Sequence, residues 1–189
     1  MILAIDLEGG IGKDGTLPWY YPEDLKRFKM LTKDDIVVMG RNTWNDPKFP
    51  KPLKSRKTVV CSRNSDLLIE PYHIDVILDG KYSDIPNEIN WIYNTDVILD
   101  ASEGDTPKKV NWPDYLEIIN HSNKNVWIIG GAKLYHQMLL HVDNVFLTMI
   151  FDTHDCDTFF DTSILYDKFE IIGKEHFDDY SFLTYRRNK

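Results

Sequence analysis

Three short runs of the chain, 2–5 (ILAI), 36–39 (IVVM) and 125–129 (NVWII), are apolar almost without interruption and show no alternation. Strands of that kind bury both faces, which requires a sheet covered on each side. The second run ends in Gly40 and the third in Gly130-Gly131, after which Leu134, Met138, His141 and Val142 fall at helical spacing. Another helix is expected over PEDLKRFKMLT, where Pro22 suits a first turn and Glu23 and Asp24 favour its positive end. Strands interleaved with helices point to an α/β fold with a largely parallel sheet. Further strands are read over 58–62 and 145–151, with short ones at 75–79 and 96–100. DVILD occurs at both of those last places, but nothing around the two copies matches, so there is no repeat architecture. The tail, 169–177 and 180–187, reads as an antiparallel hairpin turning at Asp178-Asp179.

A chain of 189 residues, 42% of them hydrophobic, is one domain with a sizeable core. Its formal charge of -8 is the wrong sign for a protein that holds nucleic acid by neutralising phosphates, so no nucleic-acid partner is expected. Cys61 and Cys156 lie in no C-x-x-C motif, and the six histidines show no H-E-x-x-H spacing. Neither a disulfide framework nor a metal site follows. The opening residues lack a basic leader and a long apolar run, so a soluble cytoplasmic protein without a membrane partner is expected. Gly9, Gly10, Gly12 and Gly15 make the following segment a mobile loop rather than a regular element. Residues 101–113 look like an exposed excursion, and 113–119 like a short helix.

Three features could carry chemistry. Asp24 shares a helix face with Phe28 and Leu31, flanked by Leu25 and turned away from Lys26, Arg27 and Lys29. A carboxylate among apolar side chains needs a partner, and a ligand offering two N–H groups in one plane would supply it. The alternative is an ordinary first-turn acid. Gly130-Gly131 lets backbone approach a phosphate at the start of a helix, although G-G-A-K is neither dinucleotide fingerprint and a plain tight turn is the other reading. Lys51, Lys54, Arg56 and Lys57, with Arg41 and Arg63 at nearby strand ends, could receive an anion or form a solvated face.

In order along the chain, PWYYPEDLKRFK, VVMGRNTW, PLKSR, VVCSR, WIIGGAKLY and LTMI resemble the blocks of dihydrofolate reductases. The resemblance spans residues 2 to about 161. It implies a central, mostly parallel twisted sheet with helices on both faces and an antiparallel C-terminal hairpin, in a single domain over 1–189. The adenosine-side lobe, around 65–125, would be enlarged. The implied activity is hydride transfer from NADPH to 7,8-dihydrofolate, giving tetrahydrofolate, in a protein expected to be a monomer.

By the same resemblance, Asp24, Trp19 and Thr148 are the catalytic set. Asp24 would hold the pteridine's amidine edge with support from Thr148, while Trp19 and Phe28 form walls. Ile2 and Ile129 would offer strand-end carbonyls, Leu3, Leu25 and Leu53 would complete the substrate pocket, and Arg56 would clamp the substrate's glutamate carboxylate. On the cofactor side, Ala4, Ile11, Gly12, Gly15, Thr16 and Leu17 would line the nicotinamide. Asn42 and Thr43 would meet the pyrophosphate together with Ile129, Gly130, Gly131, Ala132, Lys133, Leu134 and Tyr135, with Gln137 beyond. Arg41, Ser62 and Arg63 would surround the adenosine ribose and its extra phosphate. The proton for the ring is expected from water admitted past the 6–21 loop, whose glycines suit a lid.

The chain departs from the family pattern after Trp44. A segment containing Ser-Ile is common there, and here the chain reads Asn45-Asp46-Pro47-Lys48-Phe49. Tyr20-Tyr21 is bulkier than usual, and the stretch 80–113 is long. Two other functions compete: a reductase of another pterin or a pyrimidine, and a nucleotide-binding or assembly protein without turnover. Asp24 disfavours a pyrimidine substrate, and the joint presence of Asp24, Thr148, Arg56 and the glycine pair disfavours lost turnover.

Overall fold

A computed structural model describes residues 1–51, 53–61, 76–78, 97–98 and 124–189. Five parallel strands form one sheet in the order β6-β5-β4-β3-β7. These are β3 (Ile36–Gly40), β4 (Lys57–Cys61), β5 (Val76–Leu78), β6 (Val97–Ile98) and β7 (Val126–Gly130). Beside β7 lies β1 (Ile2–Ile5), which pairs in parallel with β8 (Asn144–Ile150). The sheet order there continues β8-β11-β10, through the antiparallel hairpin of β10 (Phe169–His176) and β11 (Tyr180–Arg187). The expected mix of a parallel centre and an antiparallel tail is thus what the chain adopts.

Alternate residues of the unpatterned strands face opposite ways, and both ways are apolar. Ile36 and Val38 of β3, Val59 of β4 and Ile128 of β7 share one core cluster with Leu134, Tyr135 and Met138 of helix α3 (Ala132–Met138). Val37, Met39, Val60, Trp127 and Ile129 share the other with Trp44 of α2 (Arg41–Asn45). Phe28 and Leu31 of α1 (Pro22–Leu31) pack on that second cluster. Helices therefore cover both faces, and α4 (Ser163–Lys168) adds Leu165 to the first cluster.

One expectation needs correction. The glycine-rich segment is not wholly irregular, because Gly10–Gly12 forms β2, an antiparallel partner of β9 (Thr158–Phe159). The packing explains the glycine at position 10: a Cβ there would collide with Cys156 Sγ. The strands expected at 75–79 and 96–100 appear as β5 and β6. Ser62, Arg63, the excursion 101–113, the helix 113–119 and most of the enlarged lobe lie outside the described residues.

Candidate active site

Asp24 sits in the first turn of α1, half-buried, and its Oδ1 accepts a hydrogen bond of 2.5 Å from Thr148 Oγ1. Thr148 is fully buried in β8, opposite Ala4 of β1 in the strand register. Burial pushes the Asp24 carboxyl above its ordinary pKa, and the Thr148 hydroxyl and the charge of Arg27 temper that rise. The result is a partly desolvated carboxylate with, among the described residues, a single side-chain donor on one oxygen.

The glycine turn reaches this site through one residue. Tyr135 follows the turn on α3, its backbone N–H bonded to the Gly131 carbonyl. Its hydroxyl donates to the Ile2 carbonyl at 2.9 Å, two residues before Ala4. Tyr135, expected only as a cofactor contact, thus ties the two halves of the site together. Its burial raises its pKa further from neutrality, so it acts as a neutral donor.

The turn itself is tight. Gly130 has φ of 141°, which favours glycine, and a Cβ on it would come within 2.8 Å of Thr43 Oγ1. Gly40, Thr43 and the glycine pair are therefore brought together. Among the described residues no side chain caps α3; its Leu134 and Tyr135 N–H groups bond to the Gly131 carbonyl at 2.9 and 3.0 Å, and the amides of Ala132 and Lys133 open the helix before them. That arrangement fits the pyrophosphate of a dinucleotide. Asn42 is exposed, Arg41 and Ala132 half-buried, and Lys133 and Gln137 exposed; Leu134 is core.

Further along α1, Phe28 is partly buried and Arg56 lies over its ring at 5.5 Å, with Nη1 donating to Thr32 Oγ1 at 3.1 Å. Among the described residues no carboxylate pairs with Arg56. Leu53 and Ile129 are buried beside Phe28 in the second cluster, whereas Leu3 packs into the first and Leu25 is 43% exposed. Phe49 also joins the second cluster, so an aromatic ring lies in the segment where the family's isoleucine was expected.

Beside Trp19 lies His154, which the sequence does not single out. Trp19 meets His154 edge-on, with ring centres 5.0 Å apart, and its Nε1 is buried without a partner among the described residues. Ile11 and Thr16 are half-buried, Gly12 buried, and Gly15 and Leu17 exposed. Arg27 requires the clearest correction. It does not join the exposed Lys26 and Lys29: its Nη1 lies 3.4 Å from Thr148 Oγ1 and its guanidinium stacks 4.3 Å over the Phe182 ring. Its position three residues after Asp24 was the available signal.

The family model for dihydrofolate reductase matches residues 1–83 and 94–187. The chain belongs to the dihydrofolate reductase family. A dihydrofolate reductase of Ureaplasma parvum is 26% identical over 190 residues, spanning 100% of this chain and 96% of that protein. One from Mycobacterium leprae is 42% identical over 89 residues, 47% of this chain and 54% of the relative. Among solved structures, dihydrofolate reductase from Enterococcus faecalis, complexed with NADP(H) and RAB-propyl, superposes with a TM-score of 0.69 at 26% identity. That match covers 100% of this chain and 95% of the other.

Proposed function

We infer that the Asp24–Thr148 pocket is where this NADPH-dependent oxidoreductase reduces 7,8-dihydrofolate to 5,6,7,8-tetrahydrofolate. The observation that carries the reading is Asp24 itself: a half-buried carboxylate held by one hydroxyl, with acceptor capacity left over. A carboxylate can bind two coplanar N–H groups, which is what the amidine edge of a pterin presents. Thr148 orients the carboxylate by its hydrogen bond. The Ile2 carbonyl, which accepts from Tyr135, keeps a second lone pair for the ring's amino group, and Ile129 offers another carbonyl. Arg56, steadied by Thr32 and Phe28, is placed to clamp a carboxylate at the far end of the substrate.

When bound, NADPH supplies the hydride. Ala4, Ile11, Gly12, Gly15, Thr16 and Leu17 would line its nicotinamide side, and Thr43 with the 130–135 turn its pyrophosphate. Arg41 would serve the extra phosphate with Ser62 and Arg63. The Asp24 charge raises the proton affinity of a ring bound against it, while water passing Trp19 and the 6–21 loop delivers the proton. The chain acts as a single domain and a monomer in the cytoplasm, with small molecules as its ligands.

The test is direct. Purified protein mixed with NADPH and dihydrofolate should lose nicotinamide absorbance, and methotrexate should stop that loss. Oxidation that is absent, or indifferent to the antifolate, contradicts the assignment.

A further inference from the structure

We propose that Arg27 is a positioning residue which, acting through Thr148, holds Asp24 as an ionised acceptor and so sets the pH range of turnover. This rests on the reading of Asp24 as the substrate-binding acid.

Arg27 follows Asp24 by three residues and shares its helix face. Its guanidinium is turned inward, half-buried, 4.3 Å from the centre of the Phe182 ring of β11 and 5.9 Å from that of Phe146 on β8. An arginine on such a face needs a reason, because desolvating its charge is costly. The Thr148 contact supplies one. A guanidinium has only donors, so the hydroxyl it approaches must accept, and the hydroxyl's own hydrogen is then directed elsewhere. Here it points to Asp24 Oδ1. The chain Arg27–Thr148–Asp24 therefore has one consistent direction, in which Asp24 receives a hydrogen on Oδ1 and leaves its other oxygen for a ligand.

Among the described residues Arg27 forms no ion pair, so its charge is not cancelled at contact. The charged or titratable groups that interact with this pair are Glu175 on β10, Tyr135 on α3 and Tyr180 on β11, while Glu23 on α1 and Asp179 in the turn before β11 act on Tyr180. Glu175 is exposed and opposes Arg27 only through space. Any proton taken up in the pocket, on the carboxyl or on a bound ring, adds positive charge beside Arg27. The guanidinium thus lowers the apparent pKa of the whole site, which belongs to the ensemble rather than to one group.

The experiment measures kcat and KM for dihydrofolate, at saturating NADPH, from mildly acidic to alkaline pH. Arg27→Gln keeps a donor but removes the charge, and should move the kcat/KM profile to higher pH by roughly half to one unit. Arg27→Lys should restore most of the original profile. Glu175→Gln removes the opposing charge and should move the profile the other way, by less. A structural role alone would scale activity evenly at every pH. The proposal is overturned by an Arg27→Gln profile that falls where the unaltered enzyme's does, or by Glu175→Gln moving it upward. Should Arg27→Gln not fold, the surface variant Glu175→Gln still decides by its direction. Full neutral-pH activity in Asp24→Asn would remove the reading of the pocket itself. Loss of activity there with an unmoved Arg27→Gln profile would remove this inference alone.

Discussion

Asp6 is buried and Asp24 half-buried, and the fold drives the two carboxyls in opposite directions. Asp6, just beyond β1, is 1% exposed. Its Oδ1 accepts from the amides of Glu8 at 3.0 Å and Gly10 at 2.7 Å, and its Oδ2 from the amide of His154 at 3.0 Å. The Cys156 thiol approaches the same oxygen at 3.6 Å. Burial pushes Asp6 up, but those donors outweigh it and hold the carboxyl below its ordinary value. At Asp24 burial wins, because one hydroxyl and a neighbouring cation do not compensate for it. The difference lies in how many donors the backbone provides. A carboxylate saturated by amides is a knot, here tying residues 6–10 to the 154–156 segment. One left short of donors keeps acceptor capacity that a ligand could use.

The largest effect is expected for Asp24→Asn, which should lower kcat/KM at neutral pH by about a hundredfold or more. It should recover partly in acid, where substrate arrives protonated, and rate measurements across pH show both. The folded Asp24 pKa lies above its unfolded value, so the ionised carboxylate costs stability above that pKa. The unliganded variant should then melt no lower than the unaltered protein at neutral pH.

Asp6→Ala should do the reverse, costing about 2–4 kcal/mol in denaturant unfolding through three abandoned amides. Here the folded pKa is depressed, so the contribution is present above the unfolded pKa of about 4. It is lost as pH falls through the folded value, and the variant's stability should decline less steeply in acid. Thr148→Val removes the one side-chain donor that Asp24 has among the described residues and should reduce kcat/KM about tenfold at neutral pH. Its profile should also move to higher pH, since the carboxyl loses the bond that favours ionisation. Smallest is Tyr135→Phe, which deletes the bond to the Ile2 carbonyl and should cost about 1 kcal/mol by thermal unfolding.

The strands were legible because unalternating apolar runs have few other uses, and β3 and β7 lie where those runs do. Asp24 was legible from its helix face. Its bond to Thr148 was not, since 124 residues separate them and no local spacing encodes such a contact. The resemblance between ordered motif blocks brought that pair together. Arg27 was misread because Lys26, Arg27 and Lys29 look like one charged face, whereas a planar guanidinium tolerates the aromatic cover of Phe182 and Phe146. Asp6 was invisible for the same reason as Thr148: one of its donors, His154, is 148 residues away.

The central claim is that Asp24 alone of these two acids is kept under-bonded for a ligand. Carbon-13 NMR of the side-chain carboxyls, titrated in the free protein and again with saturating folate, tests it most directly. Asp24 should titrate above the ordinary aspartate value and Asp6 below it, and folate should move only the Asp24 resonance strongly. If Asp24 titrates at or below Asp6, or if folate leaves its resonance in place, the account is wrong.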